Sequence, residues 1–176
     1  MSVLSRYKNK AKFLIKKSGI YELEIISAFS HKSRKGRECI YFLFCDKKHD
    51  LYAYSYVVVA TAKGRIREFE RKNIIDKFMV LGEIYDLRAM DDEALFWDFS
   101  LVENKPKILI NKKPAKVYKD LIGKTFLIEL LFRKWYDEYG AIFINYDIME
   151  IFHKDTKQTM DEYINNLPSL EFDNER

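Results

Sequence analysis

Cysteine is rare in this sequence, which holds two cysteines, Cys39 and Cys45, among 176 residues. Two cysteines are too few for a disulfide-stabilised scaffold, so we expect reduced thiols and a protein of the cytoplasm. Both fall on one predicted strand, where six residues span roughly 20 Å, and this separation is too large for both to ligate one zinc ion. The sequence therefore predicts neither a metal site nor a cofactor.

Long apolar runs and known catalytic signatures are also missing. No run approaches the roughly 18 apolar residues that cross a bilayer, and the basic stretch 1–19 lacks the apolar core of a secretory signal, so we expect no membrane association. Neither a nucleophile elbow nor a glycine-rich phosphate loop occurs. Glu70, Arg71 and Lys72, with Asp50 upstream, match half of a nuclease pattern, but they fall on a predicted helix and not on the strand that such a site needs. We therefore predict no catalytic residue and no enzyme activity.

Aromatic residues are plentiful instead, with 13 Phe, 12 Tyr and 2 Trp, whereas Gly and Pro number only 6 and 3. This composition favours a β-sheet. Alternating apolar and polar residues predict strands, and a helical period predicts one helix that ends at Gly82. The predicted strands cover 20–28, 38–46, 51–60, 124–134 and 140–152, and the predicted helix covers 65–80.

This order of three strands, a helix and two more strands is that of an OB-fold, a small, partly open barrel of five strands. We therefore predict a mainly β protein with one helix (α+β), forming one OB-fold-like domain over 1–165. Residues 83–118 are predicted to be an insertion or connection, acidic in its first part, with at most short strands. Residues 166–176 are predicted to be a flexible acidic tail. An SH3-like barrel or an unrelated α+β sheet would give a similar order of elements.

Positive and negative charges are segregated along the chain. Residues 1–48 hold 12 Lys and Arg against 4 Asp and Glu, and residues 104–124 hold 7 against 1. In contrast, residues 82–103 hold 1 against 7, and residues 136–176 hold 3 against 10. Such blocks are typical of proteins that bind polyanions. The alternative is that blocks of opposite sign meet in space and neutralise each other.

Basic and aromatic residues occur together, as a protein that binds single strands requires, because cations attract phosphates and ring faces stack on bases. They lie in the loop after the first predicted strand, on a tyrosine stripe of the next two strands and at the tip of the last hairpin. The predicted nucleic-acid-binding residues are Lys32, Arg34, Lys35, Arg37, Tyr41, Tyr52, Tyr54, Tyr56, Arg133, Lys134, Trp135, Tyr136 and Tyr139. Two other interpretations stay open: the tyrosines pack across strands, or Trp135 covers an open end of the barrel.

Several short stretches are similar to one known family. Residues 121–124 read L-I-G-K where the last predicted hairpin begins, the second strand of that hairpin ends with I-M-E-I-F at 148–152, and Q-T-M-D-E follows at 158–162. Residues 18–21 read S-G-I-Y before the first strand. Together these stretches resemble phage single-stranded DNA-binding proteins of the OB-fold type. The resemblance covers roughly 18–60 and 119–163 and does not extend across 83–118.

The resemblance implies that the chain binds single-stranded DNA without base specificity, in phage DNA replication or recombination in the host cytoplasm. It also implies contacts with replication or recombination proteins, and a homo-oligomer is compatible with it. Two alternatives stay open: a protein-interaction module, such as a viral inhibitor of a host protein, and an RNA-binding OB-fold. The acidic segment 86–98 favours the first alternative if Phe96 and Trp97 are exposed.

Overall fold

The computed structural model describes residues 11–67, 70–102 and 105–174 and is mainly β, with eight antiparallel strands in one sheet that is not closed into a barrel. The strands are β1 (Ala11–Phe13), β2 (Gly19–Lys32), β3 (Glu38–Asp46), β4 (Leu51–Ala60), β5 (Met90–Val102), β6 (Lys105–Val117), β7 (Thr125–Tyr136) and β8 (Ile142–Phe152). The helices are a π-helical segment (Arg71–Asp76) that continues into α1 (Lys77–Leu81), a 3-10 turn (Lys119–Leu121), α2 (Met160–Ile164) and α3 (Leu170–Asn174). No helix in the described part of the chain is long and apolar enough to cross a membrane.

The long strand β2 organises the sheet because it pairs with three others. Its first half pairs with β7, its second half with β3, and residues near its end pair with β6. The register with β3 shifts between Ile25 and Ser27, and such a bulge bends a strand. The strands in the order β4-β3-β2-β7-β8 therefore curve around a shared hydrophobic core.

The two ends of this curved series, β4 and β8, lie next to each other along a line that we call the seam. No backbone hydrogen bond joins β4 to β8 among the described residues, and two side chains bridge them instead. The Tyr54 hydroxyl donates to the Ile144 carbonyl at 2.6 Å, and the Ser55 hydroxyl donates to the Tyr146 carbonyl at 2.7 Å. The sheet thus approaches closure at the seam without completing it.

Large aromatic side chains from the sheet and from α1 fill the interior. Phe78 of α1 contacts Phe42 of β3 and Phe126 of β7, at ring-centroid distances of 5.2 and 5.0 Å, and all three are buried. Gly82 ends α1 at a place where a β-carbon would lie 2.7 Å from the Phe78 carbonyl oxygen and 3.1 Å from the Phe126 ring. A larger residue would force the backbone to shift, so the predicted helix end at Gly82 is confirmed and has a packing reason.

The predicted start of this helix, at residue 65, is wrong. The helical segment begins at Arg71, and residues 65–67 instead turn back onto β4, where backbone hydrogen bonds join them to residues 59–61. Gly64 lies in the turn that reverses the chain after β4, with a φ of +82°, a left-handed conformation that glycine adopts readily. Phe69, which contributed to the helical period, lies outside the described residues.

Residues 83–118 differ most from the prediction, which allowed at most short strands there. They contain the long hairpin β5–β6, paired continuously from Met90 and Val117 at its base to Val102 and Lys105 near its turn. Strand β6 pairs in turn with β1 and with the end of β2, so the hairpin extends the sheet beyond β2. Buried side chains from both of its strands join the core: Leu95, Ile108 and Ile110.

The L-I-G-K stretch connects this hairpin to β7. Leu121 is buried at the end of the 3-10 turn, and Gly123 has a φ of +90°. The Gly123 N–H donates to the Ile25 carbonyl, and the Ile25 N–H donates to the Lys124 carbonyl at 2.9 Å. These two backbone hydrogen bonds hold the stretch against β2 at its bulge, so its role in this structure is to connect β6 to β7 and stabilise the sheet.

The predicted tail, residues 166–176, contains α3, which packs on the end of β8. Phe172 is buried and contacts the Phe152 ring at 5.1 Å. Glu162 forms a capping box with Thr159 at the start of α2 and also accepts a hydrogen bond from the Glu171 N–H at 3.2 Å. Burial raises the pKa of Glu162, but hydrogen bonds from backbone N–H groups outweigh burial, and its pKa lies below the usual value.

Candidate nucleic-acid interface

The basic loop between β2 and β3 is a tight turn that keeps its cations in solvent. Backbone hydrogen bonds between Ser33 and residues 36–37 close the turn. Three cations of the predicted set, Lys32, Arg34 and Lys35, are exposed, and none of them forms an ion pair within the part of the chain that the structure describes. Their charge is therefore available to an external anion.

A second basic turn, residues 61–65, lies beside this loop. A β-carbon on Gly36 would be 3.5 Å from the β-carbon of Ala62. Lys63 and Arg65 of the second turn are exposed and have no ion-pair partner among the described residues. The sequence prediction missed both, because only the fold brings the turn after β4 next to the loop after β2. We call the combined surface the basic rim: Lys32, Arg34, Lys35, Arg37, Lys63 and Arg65.

Arg37 differs from the rest of the basic rim because its guanidinium is partly enclosed. Its Nε is the one buried side-chain nitrogen or oxygen that lacks a hydrogen-bond partner among the described residues. Arg37 lines a groove of about 340 Å³ beside the seam, together with Tyr56 of β4 and Asn145 of β8. Arg67 and Glu70, which pair with each other, line the same groove. A buried donor without an acceptor costs about 1–3 kcal/mol, so an acceptor from outside would be bound well here.

The three tyrosines of β4 have different environments, although the sequence predicts one role for all of them. Tyr52 is 1% exposed and belongs to the core, with Lys12 over its ring, which corrects the expectation that this ring is open to a base. The backbone of Leu14 and Ile15 runs beside Tyr52 and helps to enclose it. Tyr54 is half-buried at the seam, and burial raises its pKa to about 12. Only the third tyrosine, Tyr56, is exposed, at 42%.

Aromatic rings from three strands cover the surface next to Tyr56. Tyr41 of β3 stacks on Tyr56 at 5.5 Å and on Phe29 of β2 at 5.6 Å. Phe29 also stacks on Phe96 of β5 at 4.1 Å, and Trp97 of β5 lies edge-on to Tyr41 at 6.4 Å. The His31 ring lies 5.9 Å from Tyr41. We call this surface the aromatic cluster: Phe29, His31, Tyr41, Tyr56, Phe96 and Trp97.

The acidic residues of β5 are largely neutralised by lysines of β6 and of the turn after it. Asp91 pairs with Lys116 and Asp92 pairs with Lys119, each at 2.7 Å. The blocks 82–103 and 104–124 therefore meet in space, as the second interpretation of the charge pattern had it. The basic rim differs, because most of its cations have no such partner among the described residues.

The tip of the β7–β8 hairpin has ring contacts of its own, separate from those of the aromatic cluster. Trp135 stacks on Phe143 of the facing strand at 5.8 Å. Tyr136 lies on the opposite face of β7, as neighbours in a strand do, with Lys134 over its ring at 5.7 Å. Tyr139 is 86% exposed. No ring contact joins these tip residues to the aromatic cluster within the described ranges.

Outward-facing residues of β8 extend from the tip to the groove. Phe143, Asn145 and Asp147 alternate along β8 and share one face. Asn145 and Asp147 line the groove with Arg37, and Arg133 of β7 pairs with Asp147 at 2.7 Å. Phe143 lies two residues from Asn145, roughly 7 Å along the strand. The tip is therefore close to the groove, although Arg133 is a paired cation.

The residues that were considered for metal binding or catalysis are either buried in the core or paired with a neighbouring side chain. Cys39 and Cys45 are buried free thiols, and burial raises the pKa of both. Glu70 accepts hydrogen bonds from Arg67, which hold its pKa below the usual value. In the described part of the chain, no three His, Cys, Asp or Glu side chains are grouped closely enough to hold a metal ion.

No protein-family model matches the chain, and no curated protein matches it. The function is therefore inferred from the chemistry of the basic rim, the groove and the aromatic cluster.

Proposed function

We propose that this protein binds single-stranded DNA without base specificity, as a phage protein of DNA replication or recombination. The observation that carries the proposal is the stacked pair Tyr41 and Tyr56 of the aromatic cluster, because Tyr56 also lines the groove that contains Arg37. Partly exposed rings next to unpaired cations are what a flexible polyanion with flat bases requires.

Two kinds of interaction would add up on this surface. Each base that stacks on an aromatic ring contributes about 1–3 kcal/mol, whichever base it is. Each phosphate neutralised by the basic rim releases counterions, which makes affinity fall with salt by a logarithmic slope of about 0.7 per contact on a single strand. The unsatisfied Nε of Arg37 supplies a donor for a phosphate oxygen.

The order of the elements supports an OB-fold-like arrangement as the basis of this function. The strand order β4-β3-β2-β7-β8 brings β4 beside β8, and α1 lies between β4 and β7 in the chain. In OB-folds, the first connecting loop and the tip of the last hairpin flank the binding face. These positions correspond here to the basic loop 33–37 and the tip 137–141.

The protein-interaction alternative has less support than the sequence suggested. It rested on an acidic segment with exposed Phe96 and Trp97. Both rings are half-buried in the aromatic cluster, and neighbouring lysines neutralise Asp91 and Asp92. An RNA-binding function uses the same surface and is separated from DNA binding by experiment.

The test is a titration of labelled oligothymidine of about 30 nucleotides, longer than the roughly 4–16 nucleotides that one OB-fold covers, at several salt concentrations. We expect binding that weakens steeply with salt, weaker binding of a duplex of equal length, and preference over the matching RNA. Tyr56→Ala should raise the Kd about fivefold or more, because it removes one stacking surface. Tyr85→Ala is the matched control, since Tyr85 is 94% exposed and lies outside the cluster.

Two results would overturn the proposal. One is the absence of single-strand binding at low salt. The other is an equal effect of Tyr56→Ala and Tyr85→Ala, which would show that binding does not use this surface. If the protein binds RNA as tightly as DNA or more tightly, the proposed binding surface stands and its ligand is RNA.

A further inference from the structure

An open pocket of about 170 Å³ lies within the aromatic cluster. Tyr56 does not line it, so a base that stacks on Tyr56 leaves this pocket open. Its lining residues are Phe29, His31, Tyr41, Phe96 and Trp97. Apart from the tyrosine hydroxyl and the ring nitrogens, this lining is apolar. Its volume lies below the roughly 300–1,000 Å³ of pockets for drug-sized ligands, so the pocket suits one small, flat group.

Three strands build the pocket, and each supplies rings in a fixed orientation. Phe29 and Tyr41 are register partners on β2 and β3, and their rings are nearly parallel, at 12°. Phe96 continues this stack from β5, and Trp97 lies across it at 63° to Phe29. His31 lies at the exposed side, with its ring at 86° to Phe96. The floor is therefore a stack of rings with a polar ring beside it.

The charges around the pocket select among possible occupants. Aromatic pockets also bind quaternary ammonium groups, whose positive charge nearby lysines would repel. Here the Lys113 ammonium lies 5.5 Å from the Phe96 ring centroid, and Lys32 follows His31 in the chain. These charges repel a cationic guest and attract the phosphates on either side of a nucleobase. A base that belongs to a polyanion fits both the apolar lining and the positive surroundings.

We propose that this pocket holds one unstacked nucleobase of the bound single strand, between Phe96, His31 and Tyr41. This inference rests on the proposed function and assigns the hairpin β5–β6 to the binding machinery. Tyr41 belongs both to the pocket and to the Tyr41–Tyr56 pair. The bound DNA strand therefore runs from the pocket across Tyr56 to the groove at Arg37.

Phe96→Leu is the first test, because leucine keeps apolar volume in the half-buried position and removes the ring. We expect it to raise the Kd for oligothymidine about fivefold or more, the lower limit for loss of one base stack. His31→Ala should also weaken binding and is the safer variant for folding, because His31 is exposed. Thermal melting of each variant checks that the fold is kept.

Tryptophan fluorescence gives an independent readout. The chain has two tryptophans, Trp97 in the pocket and Trp135 at the tip, so Trp135→Phe leaves Trp97 as the only reporter. We expect oligothymidine to quench the Trp97 emission in this variant. Quenching should be much smaller at equal saturation when Phe96→Leu is added.

The outcomes separate the pocket from the overall function. If the wild-type protein does not bind a single strand, both proposals fail. If binding depends on Tyr56 while Phe96→Leu and His31→Ala leave the Kd unchanged, or if Trp97 emission does not change on saturation, the base pocket is refuted and the proposed function stands.

Discussion

Arg37 has opposite effects on the free and the bound protein. Its buried Nε has no acceptor among the described residues, so we expect this side chain to add nothing to the stability of the free protein or to lower it. A phosphate oxygen would accept a charge-assisted hydrogen bond from the same nitrogen, which strengthens the complex. Stability and affinity should therefore respond in opposite directions when this side chain is replaced by an apolar one.

We expect Arg37→Met to leave the melting temperature unchanged or to raise it, and to weaken oligothymidine binding about tenfold or more, since hydrogen bonds to charged groups contribute about 1.5–3 kcal/mol. The logarithmic salt slope should become less steep by about 0.7. Melting curves and salt-dependent titrations measure both effects. Arg88→Met is the control, because Arg88 is exposed and pairs with Asp86 outside the basic rim. A lower melting temperature with unchanged affinity would instead assign Arg37 to the fold alone.

Tyr54 makes stability depend on pH in the alkaline range. Its pKa is about 12 in the folded protein because of burial, against 10.0 for an unperturbed tyrosine. Between these values the folded protein keeps a proton that the unfolded chain has lost, so this contribution is complete below pH 10 and is lost as the pH rises through 12. The unfolding free energy should fall by about 1.4 kcal/mol per pH unit from this residue.

Denaturant unfolding at several pH values across this range tests the prediction. Tyr54→Phe should make the decline less steep, after an initial loss of about 1 kcal/mol at neutral pH from the missing hydrogen bond to Ile144. Tyr85→Phe should keep the wild-type slope. Identical slopes in all three proteins would show that the Tyr54 hydroxyl titrates normally.

The β4 tyrosines show what sequence can and cannot predict for single residues. Alternation places Ala53 and Ser55 on the face of β4 opposite the tyrosines, and both are buried. It cannot predict that Tyr52 is buried as well, because the residues beside it, 12–15, lie about forty positions earlier in the chain. The environment of a strand residue depends on what packs over it, and a local pattern carries no information about that.

At the scale of secondary structure, the hairpin β5–β6 joins the sheet to the candidate site. Strand β6 has lysines on several exposed positions and two prolines, and its lysine-rich sequence predicts a connection with only a short strand. Lysine and proline are also typical of strands near a sheet edge. The local signal that identifies this strand is the alternation of Ile108 and Ile110, both buried. Its pairing with β5, β1 and β2 depends on residues distant in the sequence, which the local alternation of apolar residues cannot identify.

Phe172 gives a prediction for the terminal helix α3. Phe172→Ala should detach this helix, because the ring supplies its buried contact with Phe152. Phe to Ala changes in a core cost about 3–5 kcal/mol, and we expect a smaller loss of global stability here because a terminal helix can open locally. Hydrogen exchange at the Glu171 amide, which donates to Glu162, should become much faster.

Leu170→Ala is the matched control for this change, because Leu170 lies in the same helix and is largely exposed. It should leave exchange at Glu171 nearly unchanged. Equal exchange rates in wild type and Phe172→Ala would mean that the helix is held by its hydrogen bonds and not by the ring.

At the scale of the whole molecule, the sequence predicted elements better than their arrangement. The strands 38–46 and 51–60 are confirmed, and the last hairpin lies within two residues of its predicted bounds. Each of these elements is defined by a hydrophobic period that can be recognised in a short stretch of consecutive residues. The basic rim and the aromatic cluster each combine segments more than twenty residues apart, so their completion by Lys63, Phe96 and Trp97 follows from topology.

The seam gives the whole molecule a line of weakness. Two side-chain hydrogen bonds, from Tyr54 and Ser55, join strands that elsewhere would share a full ladder. Each hydrogen bond contributes about 0.5–1.5 kcal/mol. The Tyr54 ring also packs edge-on against Tyr146 of β8 at 5.3 Å, so among the described residues side chains alone hold this edge of the sheet together. The groove at Arg37 borders this line, because residues of both β4 and β8 line it. We therefore expect the width of the groove to adjust to a bound polymer, while the strands that share backbone ladders keep their positions.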